Sequence, residues 1–471
     1  MTRWDGRRRP TPVQNAANRP ATRRGGYRFV ARRNPVVSTA EQDRKARAVP
    51  AAPHGLAPHG LADELLIDAE IDDVPAPASP LKAGWLLVVS LVLIALNLRP
   101  ALSSLGPVLK EIIADTGLSA GGASLLTTAP VVCLGLFGVL APRISRRLGT
   151  ERAILALLLV LALGTALRGL GTPLALLLGA VLAGAGIGVT NVLLPGIVKR
   201  DFPDKAPLMT GVYTMALCAG AALAAGATLP IARAADGSWA VALAFWTIPA
   251  IIAALVWLTQ IPPRHGTAAH AGFSVRGLWG DPLAWQVTLF MGLQSALAYS
   301  VFGWLAPILR DRGVDGVAAG IMVSVSIMVQ VAAALVAPSL ATRGRDQKLA
   351  AVLCMAFSLA GFLGCIFAPL GTVWLWIVLL GIGQGAAFAV ALTLVVLRTP
   401  DAHVAAHLSS MSQGVGYTLA SGGPLLIGLL HDWTGGWTAA GLLILAIGIV
   451  AALAGIGAGR SKLVGARTVA V

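Results

Sequence analysis

The residue with the most chemistry in this chain is an arginine in the middle of an apolar helix. Arg99 stands in LVLIALNLRPALSSLGPVL. It lies about fifteen residues beyond Trp85, or ~22 Å along a helix at 1.5 Å per residue, and more apolar residues follow it. Holding a charge at that depth costs about 2.5–3.5 kcal/mol even on a lenient insertion scale, so such a residue needs a partner or a task. No Asp or Glu occupies the core of any apolar block. Two readings stay open. Arg99 lines a cavity and binds an anion, or backbone carbonyls and side-chain oxygens satisfy it. Pro100 removes one backbone hydrogen bond and opens the helix locally. Ser103 and Gly106 follow at i+4 and i+7, which places a hydroxyl and a gap on the same stripe.

The other polar residues inside apolar blocks are neutral or near an end. Asn97, two positions from Arg99, points elsewhere. Asn191, Gln294, Gln330, Gln384 and Gln413 have the chemistry either of interhelical hydrogen-bond donors or of ligands for a polar solute. Gln384 and Gln413 are the better ligand candidates, because their helices are placed to border a central space. Arg168 stands near a block end and is expected to snorkel to the surface. His403 and His407 are expected at an interface. Cys133, Cys218, Cys354 and Cys365 all lie in apolar blocks without metal-ligand spacing, as small packing residues do. No paired carboxylates, His/Asp cluster or metal spacing occurs in these blocks. The expectation is no catalytic residues, no metal and no cofactor, which leaves a membrane-embedded enzyme as a remote alternative.

The elements that must position these residues follow from composition. Of 471 residues, 56% are hydrophobic and 12% charged, against about 25% charged in an ordinary soluble domain. The apolar excess comes in blocks of about 20 residues, the length that crosses a bilayer as helix. Twelve such blocks are expected: about 83–109, 120–141, 153–170, 173–198, 206–231, 239–261, 283–309, 317–340, 349–368, 372–397, 407–430 and 437–459. The polar stretch 262–282 divides them six and six. The predicted organisation is therefore a tail at 1–82, a six-helix half at 83–261, a cytoplasmic linker at 262–282, a second half at 283–460 and a short cytoplasmic tail at 461–471. The fold class is all-α, a multi-pass protein of the cell (inner) membrane.

Charge is uneven. The net is +15. Residues 1–49 are basic, with Arg7–Arg9, Arg23–Arg24 and Arg32–Arg33, and residues 62–73 are acidic. No secretory signal is present. A disordered cytoplasmic tail is expected, with contact to anionic lipid as an alternative. No fold accompanies the basic run, so nucleic-acid binding is not expected. With the N-terminus inside, the inner loops hold 13 Lys/Arg, among them Arg143, Arg146, Arg147 and Arg152, against 4 outside. That bias places both termini in the cytoplasm.

The halves repeat. GPVLK (Gly106–Lys110) resembles APILR (Ala306–Arg310) at an offset of 200. Ala141–Pro142 and its basic loop match Ala337–Pro338 and theirs. GAGIG (Gly184–Gly188) matches GIGQG (Gly381–Gly385), and GVYT (Gly211–Thr214) resembles GVGYT (Gly414–Thr418). Duplicated six-helix halves around an axis along the membrane normal are a transporter design, with the site at the midplane between them. At the same offset Arg99 corresponds to Tyr299, which is expected to face the central space from the other side. The two GxxxG segments are expected to form a sliding contact for rocking halves.

LNLRPALSSLGPVL (Leu96–Leu109), APRISRRLGTERA (Ala141–Ala153), GIGVTNVLLPGIVKRDFP (Gly186–Pro203), LMTGVYTMAL (Leu208–Leu217) and WQVTLFMGLQSALAYSVFGWLAPILRD (Trp285–Asp311) carry a family likeness. The chain resembles the major facilitator superfamily, and within it the cyanate/2-nitroimidazole transporter (CynX/NimT) family. The resemblance implies twelve helices, alternating access and a small substrate, often anionic or nitrogen-containing. It implies a gating role for the basic loop holding Arg143, Arg146, Arg147 and Arg152. Here Pro142–Arg143 replaces the superfamily's aspartate. The expectation is a monomeric secondary transporter in contact with membrane lipid, working as a symporter or antiporter. Arg99, Ser103, Tyr299, Gln294, Gln384, Gln413 and Asn191 are its candidate substrate contacts. An efflux porter with an apolar cavity is the alternative.

Overall fold

In the computed structural model the described residues are 84–202, 205–261 and 273–470. The expected tail 1–82 lies outside them, as do residues 262–272 of the linker. Eleven helices are long and apolar enough to cross a membrane by length and composition. Leu159, Leu163, Leu174 and Leu255 are exposed on the outside of the bundle, where lipid tails replace water as solvent. The near face is the one at which the first span starts and the twelfth ends; the far face lies opposite.

In the first half, the first span comprises α1 (Gly84–Leu98), α2 (Pro100–Ser103), a 3₁₀ turn at Gly106–Val108 and α3 (Leu109–Thr116). The second is α4 (Ala120–Gly138), followed by the surface helix α5 (Ala141–Leu148). The third is α6 (Thr150–Leu167) with a 3₁₀ turn, the fourth lies in α7 (Pro173–Asp201), and the fifth in α8 (Ala206–Ala234). The sixth is α9 (Trp239–Phe245) with α10 (Thr247–Leu258).

In the second half, the seventh span is α11 (Pro282–Ser300), a π turn at Val301–Leu305 and α12 (Ala306–Asp311). Then come α13 (Gly316–Ala341), α14 (Lys348–Phe367) and α15 (Val373–Leu397). The eleventh predicted block falls on α16 (Ala402–Ala420) and α17 (Gly422–Thr434), which are separated at Ser421. Pro424 explains the interruption: it has no N–H to give the Ala420 carbonyl. The twelfth span is α18 (Thr438–Ala458).

Backbone and side-chain bonds stitch each half to itself on the near face. Arg200 pairs with Glu151 at 2.7 Å, joining the end of the fourth span to the start of the third. In the second half Arg398 stands at the corresponding place. It donates to the Ala458 carbonyl at 2.8 Å, to the Gly459 carbonyl at 3.2 Å, and to the Gln347 side-chain oxygen. Part of the predicted linker is strand: β1 (Phe273–Arg276) pairs antiparallel with β2 (Arg467–Ala470), Phe273 opposite Ala470. The Gly465 amide donates to the Asp281 carboxylate at 2.5 Å.

The GxxxG segments pack inside the halves rather than between them. A Cβ on Gly184 or Gly188 would meet Pro130, Cys133 or Leu134 of the second span. One on Gly381 or Gly385 would meet Ser326, Val329 or Gln330 of the eighth. Each motif lets two spans of one half approach closely where no hydrophobic drive is available. The seam between halves uses other positions. A Cβ on Gly106 would meet the Phe302 carbonyl, one on Gly135 would meet Gly414 and Thr418, and one on Gly320 would meet the Ala225 carbonyl.

Candidate functional site

The first span breaks at Arg99. Pro100 has no N–H to offer Leu96, and the freed Leu96 carbonyl rests against Gly220 of α8, where a Cβ would collide with it. Arg99 itself caps α2, its carbonyl accepting from the Leu102 amide at 2.9 Å and the Ser103 amide at 3.1 Å. Its side chain is half-buried. Breaks in a spanning helix are tolerated where the freed backbone is shielded by protein or lines a polar space.

The guanidinium meets phenols rather than carboxylates. The groups acting on it electrostatically are the Tyr299 and Tyr417 phenols and the Cys218 thiol, with Tyr299 foremost. Tyr299 and Tyr417 are buried, with ring centroids 5.9 Å apart at 84°. Phe302 meets the Tyr299 ring at 6.1 Å. Tyr213 of α8 adjoins Tyr417. The chain has four tyrosines; of the three among the described residues, Tyr299 and Tyr417 act on Arg99 and Tyr213 acts on Tyr417. They form two pairs of equivalent positions: Arg99 with Tyr299, and Tyr213 with Tyr417. Irregular helices position three of the four. Arg99 stands at the break in the first span, Tyr299 two residues before the π turn, and Tyr417 four residues before the interruption at Ser421. Such irregularities recur at functional sites in helical membrane proteins.

The remaining candidates are spent differently. Ser103 is fully buried and donates to the Ala221 carbonyl at 2.9 Å, tying the first span to the fifth. Gln294 is buried and bonds on its own helix, to Ser295 at 2.7 Å and the Met291 carbonyl at 3.1 Å. Gln413 donates to Ser409 at 2.9 Å. Asn191 is half-buried on α7. Gln384 is 3% exposed and accepts from Gln330 at 3.3 Å, while its own Nε2 has no partner among the described residues. Arg143, Arg146 and Arg147 are exposed on the amphipathic α5, and Arg152 is half-buried at the start of α6. Asn97 donates to the Pro249 carbonyl at 3.1 Å, away from Arg99. Arg168 does not snorkel. It is 1% exposed and donates to the Ala101 carbonyl at 2.7 Å, in the broken part of the first span.

Tyr213 and Tyr417 are the site residues that sequence reasoning passed over. Their signal was present in GVYT and GVGYT, which served there as marks of repetition rather than as a second pair of equivalent side chains.

The Major Facilitator Superfamily sequence model matches residues 87–380 and 288–462. The chain is 38% identical over 83% of its length to the uncharacterized transporter YycB of Bacillus subtilis, covering 97% of that protein. It is 36% identical to the 2-nitroimidazole transporter of Escherichia coli, over 80% of this chain and 96% of the other. With the cyanate transport protein CynX of Escherichia coli it shares 30% identity, over 74% and 91%. Among solved structures, the xylose transporter XylE from E. coli superposes with a TM-score of 0.63 at 14% identity, covering 81% of this chain and 96% of that one. With a broken, arginine-bearing first span and a repeated six-helix half, the chain belongs to the major facilitator superfamily, in its cyanate/2-nitroimidazole transporter family.

Proposed function

We propose that this secondary transporter moves a small anionic or nitrogen-containing solute by alternating access, with Arg99 as the anion-binding residue and the near face cytoplasmic. One observation carries this reading. A guanidinium half-buried at mid-membrane is met by two phenols and a thiol and by no carboxylate among the described residues. Solute charge would supply the missing counter-ion. Tyr299 and Tyr417 add hydroxyls and ring faces suited to a small flat solute. The relatives named for transport of cyanate and 2-nitroimidazole support the class without fixing the member.

Entry of an anion against an inside-negative potential costs about 2.3 kcal/mol per 100 mV. No Asp or Glu lies in the cores of the spans, which favours exchange, or a solute that brings its own proton. Uptake into proteoliposomes with and without a pH gradient tests this. Strict dependence on the gradient with a neutral solute would refute it.

The site is tested by thermal shift on purified protein with cyanate, benzoate, other small carboxylates and 2-nitroimidazole. A bound solute raises the melting temperature by mass action. At least one anion should stabilise the wild type and leave Arg99→Gln unmoved. Transport surviving Arg99→Ala would favour the efflux porter with an apolar cavity instead.

A further inference from the structure

The far ends of the first and seventh spans carry the same charge pattern. Lys110 and Glu111 end one, and Arg310 and Asp311 end the other, each pair 200 positions from its equivalent. Neighbouring residues on a helix point about 100° apart, so neither cation is placed to pair with the acid beside it. Each pairs across the seam instead. Arg310 grips Glu111 with both nitrogens, at 2.8 and 2.7 Å, and also donates to the Pro107 carbonyl at 3.0 Å. Lys110 pairs with Asp311, whose other oxygen accepts from the Trp437 indole at 3.0 Å. Directly below, Gly106 lies on the Phe302 and Gly303 carbonyls, so the two backbones touch.

Two further joints on the same face repeat the arrangement. At the fifth and eighth spans Arg233 pairs with Asp315 at 2.9 Å. At the eleventh and second, the Ala120 and Gly121 amides each donate to the Asp432 carboxylate at 3.2 Å. Between the fifth and eighth spans, nearer mid-membrane, the Ser324 hydroxyl donates to the Ala222 carbonyl.

We propose that Lys110, Glu111, Arg310 and Asp311 form a far-face latch, a crossed pair of ion pairs that exists when the halves are closed on that face and is lost when they open. The inference rests on the alternating-access reading given above. The four side chains are between 18% and 34% exposed. Their attraction is therefore open to screening by salt. Weakening the latch shifts the population towards far-face opening, since a conformational equilibrium moves by the differential stabilisation of its two states.

Cys218 is a built-in reporter. It is half-buried beside Arg99, whereas Cys133, Cys354 and Cys365 are buried. Full-length protein is reconstituted in vesicles, and a membrane-impermeant maleimide is applied from one face at a time, with Cys218→Ser as the blank. Lys110→Gln combined with Glu111→Gln should raise far-face labelling on the order of tenfold, the effect expected of two partly exposed pairs. Exchanging one pair, Glu111→Arg with Arg310→Glu, should restore the wild-type rate. Raising salt from 50 mM to 500 mM should increase far-face labelling of the wild type by a larger factor than that of the neutralised variant, which keeps the Arg233–Asp315 pair.

Far-face labelling that stays at the wild-type rate in the neutralised variant, with near-face labelling intact, overturns the latch and spares alternating access. A thiol reached from neither face in any folded variant overturns both.

Discussion

If Tyr299 holds the Arg99 guanidinium in place for its cargo, the two residues must act on binding as one unit. The perturbation is a double-mutant cycle of Arg99→Lys and Tyr299→Phe. Lysine keeps the charge and loses the planar fork, so one charge-assisted hydrogen bond to the anion goes, at about 1.5–3 kcal/mol. That is roughly a 10- to 150-fold loss in affinity. Phenylalanine keeps the ring, and with it the edge contacts to Tyr417 and Phe302, but removes the phenol oxygen whose partial charge acts on Arg99. On its own it should cost about 0.5–1.5 kcal/mol. Lysine no longer depends on the same orientation, so the second change should cost little in its presence. The coupling energy should fall between about 0.5 and 1.5 kcal/mol, within the range found for residues in contact. The assay is titration of the best-stabilising anion, followed by thermal shift and calorimetry. Strict additivity, or an Arg99→Lys protein binding within a factor of two of wild type, would refute the reasoning.

Gly106→Ala should push the first and seventh spans apart, because the new methyl collides with the Phe302 carbonyl. Overpacking of this kind costs roughly 1–3 kcal/mol, read as a lowered melting temperature together with faster far-face labelling of Cys218. Arg168→Ala should destabilise the protein by about 2–4 kcal/mol, since it leaves a cavity and strips the Ala101 carbonyl of its partner; a melting temperature within two degrees of wild type would count against it. The Arg233 guanidinium, helped by the Ala318 and Val317 amides, holds the Asp315 carboxyl below its ordinary range. A lowered pKa stabilises the joint above the ordinary value and is lost as pH falls through the lowered one. Labelling, normalised at each pH to the same maleimide's reaction with a free thiol, should therefore be flat from pH 5 to 8 and rise only below the ordinary carboxylate range. Arg233→Gln should raise labelling already at neutral pH and flatten that rise.

Much of the fold was legible because lipid imposes a simple rule on span length, and duplication left offsets near 200 in the text. The Arg99–Tyr299 encounter came from the same offset. What stayed hidden depended on rotation about helix axes. Tyr213 and Tyr417 sat in recognised repeats, but periodicity alone did not say which face they share. Ser103 lies one turn from Arg99 in sequence, yet the break at Pro100 turns it onto Ala221. Arg168 was expected to reach for the surface because it lies near a span end. The freed Ala101 carbonyl, a consequence of irregular backbone in another helix, offers a partner that no local pattern announces. The GxxxG segments were correctly equivalent, but spacing does not name the neighbour. Lys110 and Arg310 were matched as repeats, and their acids stood beside them; crossed pairing appears once the helix ends are brought together.

The near-face stitching of each half has a mechanical consequence. Arg200 on Glu151 and Arg398 on Gln347, Ala458 and Gly459 bind span ends to one another within one half. Each bundle is thereby stiffened against itself, and deformation is channelled to the boundary where the two meet. The turnover rate of such a machine is adjustable at a handful of boundary residues, without rebuilding either lever arm.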